Sequence, residues 1–473
     1  MSLAIDYLNE RVELLDPEFG PGRRGEYQAV SRLYNRRLGP VTSVVVHRPE
    51  ATDQAMYTSA ATHIPMTSLF PDVVERPRDV EISVPGGGKG GEAQKALLGG
   101  LGEMSERLLA ALHFQTVAGR LVFGTCAELR AEGRRVLGPG ELPLFAPEQY
   151  QTPGFPYARF EEDTRLAWIE GTELGTGEPV LAPAQIVLLY YRRQRFEPAI
   201  GYPTTGGLAF HSNPVQAVLH GMYEAIERDA INLTWHSRIP PRRVRVDLER
   251  VLRGSGAHDR PRLEAAGIDE VHVVLNTLDV PIPVFSTIAI DRDRAEKAFL
   301  AGGGAWSTRE RALSQSVFEL GQCRNILKYH RPSGGKHIRA GSRLDELTEF
   351  FDAVVFYGYR ENLPRVDWFY RGGDEMEWDQ TPTHAFASPQ EELEAMRGIL
   401  HDAGIRPVVF DLSGACWPGV KVLKTLIPEI TQAGVPAFPF LGHPRYYELP
   451  HRLGRTDRPL AFHELNHTPV PLP

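Results

Sequence analysis

A unit made of a glycine-rich segment and a long helix occurs three times in this chain of 473 residues. The glycine-rich segments lie at 85–91, 204–210 and 301–305. Apolar residues at helical spacing follow each segment and predict helices over 92–113, 214–235 and 308–329. Apolar runs elsewhere predict strands at 41–46, 166–169, 184–191, 271–275 and 283–290. The recurrence therefore predicts an α+β fold, in which pseudo-repeated glycine-turn and helix units pack on mixed β-sheets.

Each predicted helix carries two oxygen-bearing side chains three residues apart, which places both on one face of the helix. The pairs are Glu103 and Glu106, Glu224 and Glu227, and Glu319 and Gln322. Small residues precede the first member of each pair by three and seven positions: Gly100 and Ala96, Gly221 and Ala217, Ser316 and Ala312. A stripe of small residues lets a neighbouring backbone come close, as it would if the three helices converge on a shared site.

The acidic faces have two interpretations. Taken singly, Glu103 with Arg107 and Glu224 with Arg228 are ion pairs of a solvated helix, each contributing about 0.3–0.5 kcal/mol. If the five glutamates of the three pairs gather in a cleft, two carboxylates ~5 Å apart repel by about 3 kcal/mol at an effective dielectric of 20, and the cluster needs cations or protons. The threefold recurrence favours the cleft. Magnesium prefers such oxygen ligands, so Glu103, Glu106, Glu224, Glu227 and Glu319 are candidate metal ligands.

Lys89 lies within the first glycine-rich segment, directly before a predicted helix start. The backbone N–H groups and the positive dipole end of a helix start favour anions. The segment lacks the order of a Walker motif, because Gly90 follows the lysine. Such a loop alone is commonly only a turn. Next to a carboxylate cluster it indicates a nucleotide–magnesium site.

These pieces resemble the YcaO family of ATP-dependent enzymes that activate peptide backbone amides. The matching segments follow the family's order and are Gly88-Lys-Gly90, Gly100-Leu-Gly-Glu-Met-Ser-Glu-Arg107, Thr205-Gly-Gly-Leu-Ala209, Glu224-Ala-Ile-Glu-Arg228 and Glu319-Leu-Gly-Gln322. Further family-like segments lie at 410–413, 422–429 and 441–450. In the last but one, Lys424 stands where arginine is common in the family.

The resemblance implies a set of site residues. It implies that ATP and magnesium are bound by Lys89, Glu103, Glu106, Arg107, Glu224, Glu227, Arg228, Glu319 and Gln322, with the five glutamates as metal ligands and Lys89 on a phosphate. The chain ends in Pro469-Val-Pro-Leu-Pro473, a tail that resembles the end of the azoline-forming members of the family. By that resemblance the Pro473 carboxylate is a candidate catalytic base or positioning group. A frayed polyproline end is the alternative.

The implied activity is ATP-dependent cyclodehydration. It converts Cys, Ser or Thr residues of a ribosomally synthesised precursor peptide to thiazolines or (methyl)oxazolines. Two rivals remain: a thioamide- or amidine-forming enzyme that uses the same ATP site, and a non-catalytic peptide-binding scaffold with the same fold.

The expected organisation is an N-terminal α/β extension over 1–80, a catalytic domain over 81–468 and the tail over 469–473. We expect a separate ThiF-like partner to bind the leader of the precursor, and a homodimer. The formal charge of −8 argues against capture of nucleic acid. The absence of a signal-like segment, of a long apolar run and of paired cysteines favours a soluble cytoplasmic protein without a membrane partner.

Overall fold

The computed structural model describes residues 3–7, 10–14, 34, 40–48, 56–64, 86–112, 117–254, 270–329, 337–414 and 419–472. These residues form a mixed α and β structure with several separate sheets, as the α+β prediction requires. None of the helices in these ranges combines the length and the apolar character needed to cross a bilayer. Three sheets, each with one long helix packed on it, position the candidate site.

The first unit is built on a three-stranded antiparallel sheet of β3 (Val41–His47), β4 (Tyr57–His63) and β5 (Gly86–Gly90). Before it, β1 (Leu3–Tyr7) and β2 (Glu10–Leu14) form a hairpin. Helix α1 (Ala93–Leu112) packs on β4 and β5. The sheet crosses residue 80, the position at which we expected the N-terminal extension to end; the division into an extension, a domain and a tail stays a prediction.

The second unit uses a six-stranded antiparallel sheet in the order β6-β7-β15-β16-β9, with β8 paired to β7. Its strands are β6 (Val122–Gly124), β7 (Leu166–Glu173), β8 (Pro179–Pro183), β9 (Leu208–His211), β15 (Val408–Asp411) and β16 (Lys421–Leu426). Short helices α2 (Cys126–Ala131) and α3 (Ala184–Val187) lie between these strands in sequence. Helix α4 (Pro214–His236) packs on β16 and β9.

The third unit uses a five-stranded sheet in the order β13-β12-β11-β10-β14. Its strands are β10 (Arg242–Arg245), β11 (Glu270–Leu275), β12 (Val284–Ile290), β13 (Phe299–Ala305) and β14 (Glu375–Glu377); only the pair β10–β14 is parallel. Helix α6 (Arg309–Tyr329) packs on β13 and β12. The remaining helices are α5 (Leu248–Gly254), α7 (Phe350–Gly358), α8 (Asp367–Arg371), α9 (Pro389–Asp402) and α10 (Arg445–Arg452).

The three long helices agree with their predicted bounds, but two of the predicted glycine turns are strands. Residues 86–90 form β5 and residues 301–305 belong to β13. In the second unit a turn does occur, and Gly207 in it has a φ of +78°. The predicted strand at 184–191 is also wrong, because a short buried helix, α3, begins it. A brief apolar run does not distinguish a strand from a buried helical turn.

Glycine is required in these strands because the strand backbone touches the helix backbone. A Cβ on Gly88 would come well under 3.0 Å from the Ala96 carbonyl oxygen, and one on Gly302 would come as close to the Ser316 carbonyl oxygen. The small residues predicted to allow such an approach therefore form the helix side of these contacts. The glycine strands β5 and β13, and β9, which directly follows the Gly207 turn, are each the edge strand of their own sheet.

This packing predicts that Gly88→Ala lowers the melting temperature sharply, since overpacking against a backbone atom costs about 1–3 kcal/mol or more. Gly102→Ala on α1 is the matched control, because a Cβ there meets nothing within 4 Å and alanine favours the helix by about 1 kcal/mol. Thermal unfolding followed by circular dichroism measures both variants. Equal melting temperatures for Gly88→Ala and the wild type would contradict the packing described.

Candidate active site

The first glutamate of each pair accepts a hydrogen bond from a backbone N–H in the glycine-rich segment of its own unit. Gly87 donates to Glu103 Oε2 at 2.7 Å, Gly207 to Glu224 Oε2 at 2.9 Å, and Gly303 to Glu319 Oε2 at 2.6 Å. The same bond therefore occurs three times. It fixes one oxygen of each carboxylate, and the second oxygen of Glu103 is paired with Arg107.

The second member of each pair reaches the edge strand of the next unit, which is β9, β13 or β5. Glu106 on α1 accepts the Phe210 N–H of β9 at 3.2 Å. A Cβ on Gly303 of β13 would be 2.8 Å from Glu227 Oε1, and one on Gly87 of β5 would clash with Gln322 Nε2. Unit one thus contacts unit two, unit two contacts unit three, and unit three contacts unit one. The six predicted residues form one closed arrangement, which we call the carboxylate ring.

Cationic side chains lie among these carboxylates. Arg107 pairs with Glu103 on α1, and Lys89 Nζ lies 3.9 Å from Glu319 Oε1. Although burial opposes it, the neighbouring carboxylates of Glu227, Glu319 and Glu224 raise the pKa of Arg228. Lys89 therefore links the first glycine strand to the third helix, and Arg228 faces two units at once.

Despite these cations, burial leaves three of the carboxyl groups with raised pKa values. Burial and the charges of Glu224 and Glu103 raise the pKa of Glu106 well above its usual range. Burial also raises the pKa of Glu224. Burial and the charge of Glu319 raise the pKa of Glu227 to about 8. The ring therefore holds more negative charge than its protein surroundings stabilise, and a bound cation would relieve this repulsion.

The donor set fits magnesium bound together with a nucleotide. Within the described residues, no three His, Cys, Asp or Glu side chains already form a closed metal-binding group. Magnesium does not need one, because it is usually held by one or two carboxylates, waters and the phosphate oxygens of a substrate. The second oxygens of the ring carboxylates could supply the protein ligands, and Lys89 could bind a phosphate.

Lys424 is a site residue that sequence reasoning noted only as a departure from a family pattern. Its ammonium donates to the Thr204 and Gly206 carbonyl oxygens at 2.7 and 2.5 Å, and so holds the turn before β9. Burial lowers its pKa to about 8, against the opposing effect of Glu224 and Glu106. The signal in the sequence is a lysine flanked by apolar residues in the interior of β16.

The C-terminal tail lies against α4. Trp235 Nε1 donates to the Thr468 carbonyl oxygen at 2.8 Å, and Tyr357 donates to the Pro469 carbonyl oxygen at 2.7 Å. Leu472 is buried and lines the same cleft as Arg228. Pro473, the candidate catalytic residue, lies outside the described residues.

A buried ring of carboxylates with lysine and arginine beside it is typical of enzymes that bind a nucleotide through magnesium. Residues 87–431 match the model of a protein family described as YcaO cyclodehydratase, ATP- and Mg²⁺-binding. Because the match covers more than half of the chain, the protein belongs to the YcaO family. The description of this family as ATP- and Mg²⁺-binding confirms the prediction of ATP and magnesium as cofactors.

Solved structures share the fold at low sequence identity. A heterocyclase in complex with substrate and cofactor is 20% identical with a TM-score of 0.74, over 94% of this chain and 56% of that chain. YcaO from Methanopyrus kandleri bound with AMPPCP and Mg²⁺ is 18% identical with a TM-score of 0.60, over 89% and 93%. The Escherichia coli microcin synthetase McbBCD complex with pro-MccB17 bound is 14% identical with a TM-score of 0.52, over 91% and 96%. The predicted fold class is confirmed.

A curated relative also matches part of the chain. An uncharacterized protein of Methanothermobacter thermautotrophicus is 27% identical over 269 residues, which are 56% of this chain and 66% of the relative. This chain thus spans slightly less than two thirds of that relative and just over half of the heterocyclase chain.

The raised pKa of Glu227 predicts a pH dependence of stability without nucleotide. Because its pKa is about 8 in the fold against an ordinary value of 4.5, the unfolded chain loses this proton first. The associated stability is present below about pH 4.5 and is lost as the pH rises to about 8. Glu227→Gln should therefore raise the melting temperature by a few degrees at pH 8 and less at pH 5.

Differential scanning fluorimetry over this pH range measures the effect, with the exposed Glu132→Gln as control. Magnesium with AMPPCP should raise the melting temperature of the wild type at pH 8 more than that of Glu227→Gln. Parallel pH curves for the wild type and Glu227→Gln would show that the carboxylate ring carries no unrelieved charge.

Proposed function

We propose that this protein is a cyclodehydratase that uses ATP to convert Cys, Ser or Thr residues of a ribosomally synthesised precursor peptide to thiazolines or (methyl)oxazolines. The observation that carries the proposal is the carboxylate ring, whose three Glu–glycine N–H bonds hold acidic groups from three units together. The heterocyclase and the microcin synthetase, whose folds this chain shares, support the choice of reaction.

Azoline formation closes a side-chain nucleophile onto the carbonyl carbon of the preceding residue, with net loss of water. The amide oxygen is a poor leaving group, and bound ATP supplies the phosphoryl group that makes its departure feasible. The residues of this chain contribute placement and charge stabilisation. No side chain needs to form a covalent intermediate.

The ring residues divide these tasks. Glu103, Glu224 and Glu319 each have one oxygen fixed by a glycine N–H, which orients the carboxylates as ligands for magnesium; Glu103 would bind the ion while Arg107 holds its second oxygen. Glu106 and Glu227 add negative charge at the joins between units. Gln322 occupies the third join without charge, which limits the repulsion there. Lys89 binds a phosphate, and Arg107 and Arg228 orient the carboxylates.

The tail supplies a second group of roles. The backbone anchors at Thr468 and Pro469, together with buried Leu472, hold the end of the chain beside Arg228. In our proposal the Pro473 carboxylate follows from this position and orients or deprotonates the reacting peptide.

The remaining assignments are also part of the proposal. A ThiF-like partner would bind the leader peptide, the enzyme would act as a homodimer, and it would work in the cytoplasm on a peptide rather than on a nucleic acid or a membrane. The microcin synthetase assembly with pro-MccB17 bound supports a partner-dependent peptide substrate.

We expect the precursor peptide encoded beside this chain to lose one water per ring when it is incubated with the protein, ATP, magnesium and the leader-binding partner. High-resolution mass spectrometry measures the product, and phosphate release is followed in parallel. Exchange of oxygen for sulfur would indicate the thioamide-forming alternative. Unchanged peptide without phosphate release would indicate the scaffold.

The role of the tail predicts that one glycine added after Pro473 slows ring formation by about 10²-fold, because it moves the carboxylate by ~3.5 Å and leaves the anchors intact. The affinity for AMPPCP should change less than about twofold. Single-turnover mass spectrometry and calorimetry measure the two quantities. Deletion of residues 469–473 is the comparison, since it also removes buried Leu472 and should lower the melting temperature. An unaltered rate in the extended protein would exclude the carboxylate from the reaction.

A further inference from the structure

Lys424 lies where the first and second units of the carboxylate ring meet. Glu224 of the second unit accepts the Gly207 N–H. Glu106 of the first unit accepts the N–H of Phe210, three residues further along the chain. Lys424 on β16 pairs with the first residue of β9, between these two N–H groups, and is only 4% exposed. A buried ammonium group therefore lies beside the place where carboxylates of two units come together.

The direct partners of this ammonium are backbone oxygens. It donates to the carbonyl oxygens of Thr204 and Gly206 at 2.7 and 2.5 Å. Burial lowers the pKa of Lys424, and the charges of Glu224 and Glu106 raise it, so both carboxylates act on the ammonium. Carbonyl and carboxylate oxygens are also the donors that proteins offer to hard divalent cations. The ammonium thus occupies a position whose donors would suit a metal ion.

One peptide group connects Lys424 to Glu224. The Gly206 carbonyl and the Gly207 N–H belong to the same planar peptide group, so fixing one of them fixes the direction of the other. The carbonyl accepts from the ammonium, and the N–H donates to the carboxylate. Opposite charges at the two ends polarise the group and strengthen both hydrogen bonds. Lys424 therefore orients Glu224 and offsets its charge through the backbone.

The cations at the other joins of the ring are held differently. Lys89 lies 3.9 Å from Glu319 Oε1, and its side chain is 26% exposed. Arg107 pairs with Glu103, and its side chain is 24% exposed. Both have room to shift when a phosphate or a metal ion arrives. Lys424 is buried and anchored by two backbone carbonyls, so its charge stays in place. A buried charge is costly unless opposite charges compensate it, and here the two glutamates do so.

We propose that Lys424 is a built-in cation of the carboxylate ring, which takes the place of a divalent ion between Glu106 and Glu224 and keeps a separate metal ion from binding there. Glu224 then contributes only to an ion that it shares with the other units. Divalent ions are directed to the join between Glu227 and Glu319. This inference rests on the magnesium site of the proposed function and names the join of the ring that is closed to the metal.

Counting bound Mn²⁺ ions tests the inference without requiring turnover. The probe is Mn²⁺ alone, because it prefers the same oxygen donors as magnesium and its free concentration is measured by electron paramagnetic resonance. It is titrated at pH 7 into the full chain without nucleotide. Lys424→Ala removes the cation and leaves space for an ion, whereas Lys424→Arg keeps the charge. Lys421→Ala is the matched control, since Lys421 lies on the same strand and pairs with Asp411 near the surface.

We expect Lys424→Ala to bind one Mn²⁺ ion more per chain than the wild type, while Lys424→Arg and Lys421→Ala bind the wild-type number. The additional ion should be lost when Glu106→Gln is combined with Lys424→Ala, a coupling that a merely structural role of Lys424 would not produce. Lys424→Met removes the charge but fills the space. It should bind the wild-type number of ions at least about 10-fold more tightly, because a like charge no longer opposes them.

Three results would overturn the inference: no additional ion in Lys424→Ala, an additional ion in Lys424→Arg, or an additional ion that persists in the double variant with Glu106→Gln. If Lys424→Ala does not fold, Lys424→Met decides, and an affinity equal to that of the wild type would overturn the inference. The titration of the wild type tests the proposed magnesium site itself. The difference between the wild type and the variants tests the role of Lys424, so the two proposals can fail separately.

Discussion

A glutamate on a helix that accepts the N–H of a glycine in the adjoining glycine-rich segment is the contact on which this molecule depends. It requires glycine on the strand and small residues on the helix, since any Cβ at Gly88 or Gly302 would clash with the helix backbone. The close approach places the donor within 2.6–2.9 Å of the carboxylate in all three units. The same close approach therefore packs the helix and positions its carboxylate. The sheets serve mainly to bring one glycine-rich segment to each of the three helices.

The carboxylate ring opposes folding and supports function. Burial raises the pKa values of Glu106, Glu224 and Glu227, and repulsion from neighbouring glutamates adds to the rise for Glu106 and Glu227. Ionising these carboxyl groups therefore lowers the stability of the fold. Two large apolar clusters, one around α1 and the six-stranded sheet and one around α4 and the five-stranded sheet, supply the stability that offsets it. Sites of low local stability are typical of positions where a bound ligand supplies the missing interactions.

Much of the site could be predicted because its signal is a repeat. The spacing of the three glutamate pairs and the small residues before them specified the long helices and the residues that meet. The strands β5 and β13 were not predicted, because glycine disfavours strands. Only the close contact with a helix backbone explains the glycines in these two strands. The short helix Ala184–Val187 was mistaken for a strand because all four of its residues are buried. A short run of buried residues has no apolar periodicity that could distinguish a helix from a strand. Lys424 gains its role from Thr204 and Gly206, which lie more than 200 residues away in the sequence, and local sequence patterns do not contain such a contact.

Each unit contacts the next in the same way as subunits do in a head-to-tail assembly. Every helix pairs its first polar residue with its own strand and its second with the following one, and the series closes after three steps. Separate subunits joined in this manner would form a cyclic trimer. Here the three units belong to one polypeptide, so their order is fixed and they need not be identical; the third has Gln322 where the other two have Glu106 and Glu227. A fourth unit would break this closed series of contacts. We therefore expect insertions and deletions in the connections between units.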